Sequence, residues 1–573
     1  MRGPLLQGKT LFAVILAISA LAGTVASASA PSNVAHTRAN MMVELTFTAS
    51  QDYRDAFHEV TLDALFETPQ GRTLKVPAFW AGGRAWKVRY ASPLEGTHRW
   101  RSVCSVPADR SLHGLTGTVT VESYRGKNPL YLHGPVRVAA DRRHFEHLDG
   151  TPFFWLGDTW WMGLCQRIHW PDDFQQLAAD RKVKGFTVVQ IVAGLYPDMP
   201  AFDQRGANEA GFPWEKDYAR IRPQYFDKAD QRLQYLVEQG FVPCIVGAWG
   251  YHLPWLGTER TKQHWRYLIA RYAALPVVWC AAGEGTMPFY GSKRAGEEAA
   301  LQKLGWTEVI RSIRSNDPFG RMITIHPSHS ARETVTDPAI LDFDMHQTGH
   351  QAEDAIGNMS RQIRAAYEVQ PAMPVIAGES SYDGLDLREW GGGVLSSDAS
   401  RQMFWVGLMQ NGAAGGTYGA NGIWQVNRRD APYGPSPHGR SWGSIPWEEA
   451  MKRAGSTQVG FAKKFLAQYP WYRLEPKPDS VAWANDRRAN EDVRPCAVGI
   501  GTELRVIYVP RARPVTAKQL EPQADYSAIL FDPVTGDRSS LGKVRTDTIG
   551  AWRCATPDHK QDWVLVLERP VHK

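Results

Sequence analysis

Between about residues 40 and 123 the chain alternates apolar and polar positions, as in Val43-Glu44-Leu45-Thr46-Phe47-Thr48. Turn residues recur at short intervals, as at Pro69-Gln70-Gly71 and Ala81-Gly82-Gly83. A period of two broken by frequent turns predicts a small antiparallel β-sandwich over 40–125. From about residue 140 the rhythm changes. Short apolar runs start near Phe153, Thr187, Phe241, Val277, Met322, Phe343, Val375 and Ala414, with helical stretches such as 171–183, 226–239 and 400–411 between them. The helix ending at 239 should stop at Gly240, which suits a position just past a helix end. Eight strand-like runs with intervening helices predict a (β/α)8 TIM barrel over 130–468. An open doubly wound sheet is the rival, but it usually has fewer strands and a Gly-rich phosphate loop, and no GxGxxG follows Phe154. After a junction holding Pro470, Pro476 and Pro478, β-like runs at 504–509, 526–531 and 563–567 predict a second sandwich over 471–573. The expected fold class is therefore α/β, a barrel flanked by N- and C-terminal β-sandwich domains.

Composition changes this picture little, and the N-terminus changes it more. The 573 residues suit about three domains. Residues 1–28 carry Arg2 and Lys9 ahead of an apolar run at 11–25, then Ala26-Ser27-Ala28 as a small-residue cleavage site. This is the pattern of a signal peptide, too short to span a bilayer, with an uncleaved anchor as the alternative. The expected location is secreted or periplasmic, with association at the cell surface open. Removing residues 1–28 takes the net charge from +6 to +4, which gives little reason to expect a nucleic-acid partner. Export makes disulfides possible among the six cysteines. Cys496 and Cys554 share a segment and could pair, whereas Cys244 and Cys280 read as free core thiols. The 22 tryptophans either fill large cores or stack on sugar faces.

A barrel builds its site at the C-terminal ends of its strands. Those ends hold Asp158, Trp160 and Trp161, then Gln190, then Trp249 and His252, then Glu284. His326, His346 and Gln347 follow, then Glu379 and Tyr382, then Tyr418 and Trp424. Flat apolar faces beside groups that both donate and accept hydrogen bonds suit sugars. Cleaving a glycosidic bond needs one carboxylic acid to protonate the leaving oxygen and a second carboxylate as nucleophile or base. Glu284 and Glu379 each follow an apolar strand and a glycine, on strands four and seven, which face each other across a barrel. Either could instead be a rim carboxylate or a structural acceptor. Asp158 could cap the following turn. His326, His346 and His350 could suggest a metal, but a metal-dependent barrel hydrolase commonly has His-x-His on strand one, where this chain has Gly157-Asp158-Thr159. No metal and no cofactor is expected.

The run Trp155-Leu156-Gly157-Asp158-Thr159-Trp160-Trp161, with Ile325-His326-Pro327, Met345-His346-Gln347-Thr348-Gly349-His350, and 374–379 with Tyr382, resembles the apiosidase-like glycoside hydrolases. The N-terminal sandwich is similar to the small β-domain that often precedes that barrel. Leu530-Phe531-Asp532-Pro533-Val534-Thr535-Gly536 is similar to a C-terminal β-domain named for collagen binding. The resemblance implies an acid/base carboxylate after strand four and a nucleophilic Glu after strand seven, positions matched by Glu284 and Glu379. The family pattern at strand four is Asp in a Gly-Gly-Asp context, where this chain has Ala282-Gly283-Glu284. The expectation is thus a retaining glycosidase acting on a plant, algal or microbial polysaccharide or its side chains, with a furanose such as apiose or arabinose in view. Two long loops, about 197–225 and 427–447, are where its specificity should lie. The alternative is a carbohydrate-binding or cell-surface protein on a barrel that has lost catalysis. The oligomeric state is open.

Overall fold

In the computed structural model, residues 33–350, 352–484, 493–558 and 561–569 are described. The expected signal peptide, 1–28, lies outside them.

Eight parallel strands form the centre: β1 (Trp155–Thr159), β2 (Val188–Val192), β3 (Val242–Val246), β4 (Val278–Cys280), β5 (Ile323–Thr324), β6 (Asp344–Gln347), β7 (Val375–Glu379) and β8 (Gly415–Tyr418). Residues of β2 and β3 are buried throughout, so these strands read as apolar runs, interrupted in β2 only by Gln190. Six strands hydrogen-bond in the order β5-β4-β3-β2-β1-β8, and β6 pairs with β7. Two seams complete the ring. At one, Asp342 N–H donates to Ile323 O and Thr324 Oγ1 to Phe343 O. At the other, the Asn411 amide donates to Val375 O and Gly415 O, and Asp383 bridges to Ala420. The result is the (β/α)8 barrel, with β1 beside β8.

Helices α1 (Asp172–Val183), α2 (Pro223–Glu238), α3 (Thr258–Tyr272), α4 (Ala295–Asn316), α5 (Ala352–Glu368) and α6 (Ser397–Gln410) lie among the strands, and α7 (Ala454–Leu466) follows. Helix α2 starts on Pro223, whose missing N–H costs nothing at a first turn. It ends as its sequence predicts: Gly240 sits at φ +90, Gly240 N–H reaches Val237 O, and Phe241 N–H reaches Leu236 O. That pair of bonds satisfies carbonyls the helix end would leave open. The bottom of the barrel is plugged by a small sheet of Val136–Val138, Phe145–His147 and Pro152–Phe153, with Phe145 against Trp155 and Phe343.

The N-terminal layer is a seven-stranded sheet folded over along one long strand, Thr73–Gly82. Its first half pairs with Leu62–Glu67 and its second half with Ala85–Tyr90. Phe66 and Tyr90 stack face to face inside it, 3.9 Å between centroids. The sheet begins at Val34–Arg38, earlier than the alternation suggests, because this largely exposed edge strand, Val-Ala-His-Thr-Arg, has no clear apolar face. Arg89 of the sheet donates to Asp230 on α2 (2.5 Å) and to the Arg271 carbonyl on α3 (2.8 Å). Arg271 also donates to Asp230. Burial alone would raise the Asp230 carboxyl, yet the two guanidiniums hold it at about 2. A buried carboxylate fixed this way ties sheet to barrel, since losing either arginine would strand a charge.

The C-terminal layer pairs a six-stranded sheet with a three-stranded one. It meets α6 through Arg401, which forks onto Asp562 (2.6 and 3.1 Å), and through Trp405 stacked on Tyr508. The possible Cys496–Cys554 pairing is corrected here: both thiols are free and buried. Cys496 faces the barrel-side core and Cys554 the interior of the C-terminal layer, so the sheet separates them.

Candidate active site

The ends of β4, β6 and β7 build the floor of a cavity of about 290 Å³ at the C-terminal face of the barrel. Both glycines ahead of the glutamates are required by close packing. A Cβ on Gly283 would lie 2.1 Å from the Trp249 ring, and one on Gly378 would lie 2.4 Å from Met345 Cγ. The backbone can therefore approach its neighbours closely enough to aim the next side chain into the cavity. Glu284 itself holds φ +42, a left-handed conformation uncommon for a non-glycine residue. Between β6 and β7 the register slips by one residue, so that Gln347 stands opposite Glu379 rather than Gly378.

That slip brings three polar side chains together. The Gln347 amide nitrogen donates to Glu284 Oε1 and to Glu379 Oε1, each at 3.1 Å. Trp249 Nε1 donates to Glu284 Oε2 at 3.2 Å. His326 Nε2 lies 2.8 Å from Glu379 Oε2, and His350 Nε2 lies 3.0 Å from Glu379 Oε1. Glu379 is buried and Glu284 half-buried, and their environments push them apart. Burial and the nearby Glu379 charge raise Glu284, outweighing His326, Gln347 and Trp249. Burial would raise Glu379 too, but hydrogen bonds and charge from His326 and His350 take it well below the usual carboxylate range. One carboxyl is poised to hold a proton and the other to remain an anion, the division of labour that acid and nucleophile need.

Aromatic rings line the walls. Trp161 stacks against His326 and donates through Nε1 to the Tyr382 hydroxyl at 2.9 Å. Tyr382 stacks between His350 and Trp424. Of the residues expected in the site, Trp161, Trp249, Glu284, Gln347, Glu379, Tyr382 and Trp424 line the cavity. His326 stands behind Glu379, fully buried.

Six others are corrected. Asp158 is buried and captured by Arg181 of α1 (2.6 Å) and by Trp160 Nε1 (2.7 Å), with Thr159 N–H on its other oxygen. Trp160 is turned toward Phe174 on the same helix. Gln190 reaches across to the Gly378 carbonyl (2.8 Å), a prop beneath Glu379. His252 lies against Tyr196 and Tyr218, where burial pushes its ring down to about 3. His346 sits beside Asp344 (3.0 Å) and Gln362 (2.9 Å) on the outer side of β6. Tyr418 donates to Asp383 (3.0 Å). In each case an internal partner outcompetes the cavity, and each residue has at least one such partner outside its own strand.

The residue order passed over others that line the cavity. His350 stood in a strand-end motif without being placed in the site. Asp198, Tyr290, Trp390, His438 and Trp442 come from loops. Asp198, His438 and Trp442 lie in the two long loops, and length was the one signal pointing to them. Trp390 and Trp442 stack at 4.6 Å, with the His438 ring edge-on to both. Among the described residues no group of three or more His, Cys, Asp or Glu side chains is arranged to hold a metal ion, and no helix is long and apolar enough to cross a membrane.

Comparison with known proteins agrees with this architecture. A solved glycoside hydrolase shares 21% identity, covers 78% of this chain and 99% of its own, and superposes with a TM-score of 0.62. A family 5 glycoside hydrolase from Bacteroides vulgatus gives 22%, 78%, 95% and 0.61. A candidate glycoside hydrolase from the same organism gives 16%, 93%, 100% and 0.66. At these identities the likeness is one of fold. No curated protein matches the sequence. Residues 39–105 match a domain of unknown function, DUF5060, and residues 139–473 match the Apiosidase-like catalytic domain. That second match spans more than half of the sequence and the whole of the barrel, and the chain therefore belongs to the apiosidase-like family of glycosidases.

Proposed function

We propose that the protein is a retaining glycosidase that trims a plant, algal or microbial polysaccharide or its side chains, with a furanose such as apiose or arabinose as the sugar released. Glu379 is the nucleophile and Glu284 the acid/base. The observation that carries this reading is the Gln347 nitrogen shared by the two carboxyls at 3.1 Å each. Two oxygens that share one nitrogen at 3.1 Å each can stand at most about 6.2 Å apart. Retaining enzymes hold their carboxyls at about 5–5.5 Å, whereas inverting ones need about 6.5–9.5 Å to admit a water.

Chemically, Glu379 attacks the anomeric carbon while Glu284 gives its proton to the departing glycosidic oxygen, breaking the C–O bond. Glu284, now an anion, takes a proton from water, whose oxygen displaces Glu379 and regenerates both groups. Trp161, Tyr382 and Trp424 offer ring faces for the sugar. The expected location is outside the cytoplasm, supported by the leader pattern at 1–28, and mass spectrometry of the mature N-terminus after expression checks it. A screen of the purified protein against plant, algal and microbial polysaccharides identifies the sugar. Proton NMR of the first product then decides the mechanism: retained configuration is expected, and an inverted first product rules out the nucleophilic role of Glu379.

A further inference from the structure

The cavity holds a third carboxylate that the two-step mechanism does not use. Asp198, in the loop after β2, is 2% exposed but lines the cavity. Its backbone sits at φ +61. One oxygen accepts from the Ser436 hydroxyl, while Oδ1 closes no hydrogen bond. The Tyr290 hydroxyl and Trp442 indole also face this carboxylate, and burial nevertheless pushes it above its usual range. Among the described residues it has no ion-pair partner. Burying an unpaired acid in a left-handed conformation costs stability, and an asparagine would keep Ser436 satisfied without the charge. Such a group is expected where it meets a ligand.

Its place identifies which part of the ligand. The Asp198 loop is tied to the loop after β3, because the Tyr251 hydroxyl donates to Tyr196 O (3.0 Å) and Met199 O (3.1 Å). Tyr251 packs in turn on Phe289 and Tyr290, which follow Glu284 on the β4 loop. Asp198 is thus on the side of the acid, where the leaving group departs. We propose that Asp198 Oδ1 accepts hydroxyl hydrogen bonds from the sugar on the leaving side of the scissile bond, and so selects a neutral, hydroxylated leaving sugar. Among the described residues lining the cavity there is no Lys or Arg to neutralise a uronate there. This inference rests on the glycosidase reading above.

The test uses the full chain and two substrates: the glycan found by the polysaccharide screen, and the 4-nitrophenyl glycoside of the sugar it releases. Asp198→Asn should lower kcat/KM on the glycan roughly 10–100-fold more than on the aryl glycoside, mostly through KM, because the aryl group has no hydroxyls to present. Equal losses on both substrates, or none, overturn the proposal. A second measurement needs no variant. The free neutral leaving sugar should inhibit wild-type hydrolysis of the aryl glycoside at concentrations where its uronic acid does nothing, and stronger inhibition by the uronic acid overturns the assignment. A wild-type protein that cleaves neither substrate refutes the glycosidase reading itself, a result distinct from an active enzyme indifferent to Asp198.

Discussion

Asp158 on β1 and Glu379 on β7 occupy equivalent places in sequence, each a carboxylate near the end of an apolar barrel strand, yet they meet different fates. Asp158 is fully buried against the buried Arg181 guanidinium and never reaches the cavity. Glu379 is nearly as buried, but its partners are two imidazoles and an amide that leave it facing the cavity as an anion. A strand end therefore supplies a position, and the neighbour that reaches the side chain decides its work. A strong cation makes the carboxylate structural. Weaker donors that fix orientation leave it free to react.

Breaking each member should separate these roles. Glu379→Gln keeps the shape and removes the proposed nucleophile, so kcat should fall on the order of 10⁴-fold or more with sugar binding retained. Calorimetric titration with the identified glycan, alongside kinetics, checks both halves. Glu284→Gln should cost about 10²–10⁴-fold on glycan and less on an aryl glycoside, whose leaving group needs little protonation. The same carboxyl governs pH. The proposed mechanism needs Glu284 protonated and Glu379 ionised, so the rate should fall as pH rises through the elevated Glu284 value, while the acid limb lies below the ordinary carboxylate range. In Glu379→Gln the neighbouring charge is gone, and carbon-13 NMR should find Glu284 titrating lower. A carboxyl raised in the folded state stabilises it below the unfolded value of about 4.3, and that contribution is lost as pH rises. Glu284→Gln should therefore melt at or above the wild-type temperature at neutral pH, and a lower melting temperature would argue against a strained acid.

Asp158→Asn should do the reverse, leaving Arg181 with an uncompensated buried charge. A destabilisation of about 3–5 kcal/mol by denaturant unfolding is expected. If instead it acted mainly on KM with unchanged stability, Asp158 would belong to the site after all. The smallest effect is expected at His252, which is buried against Tyr196 and Tyr218 away from the cavity. His252→Gln should change kcat/KM by less than about twofold, since no group lining the cavity is altered.

The barrel, its flanking sheets and the two glutamates were legible in the amino-acid order because each rests on local signals. Buried parallel strands need apolar runs, Gly240 marks a helix end, and Gly283 and Gly378 stand immediately before the residues they aim. The slip between His346 and Gln347 was not legible, because register depends on what a strand meets. Nor was the capture of Asp158 by an arginine 23 positions away, or the meeting of Asp198 with Ser436 across the mouth. The sequence by itself determined which carboxylates end which strands. Only the tertiary structure decided which of them stay free to meet a sugar, because a side chain's charge and direction are set by partners that folding brings from distant parts of the chain.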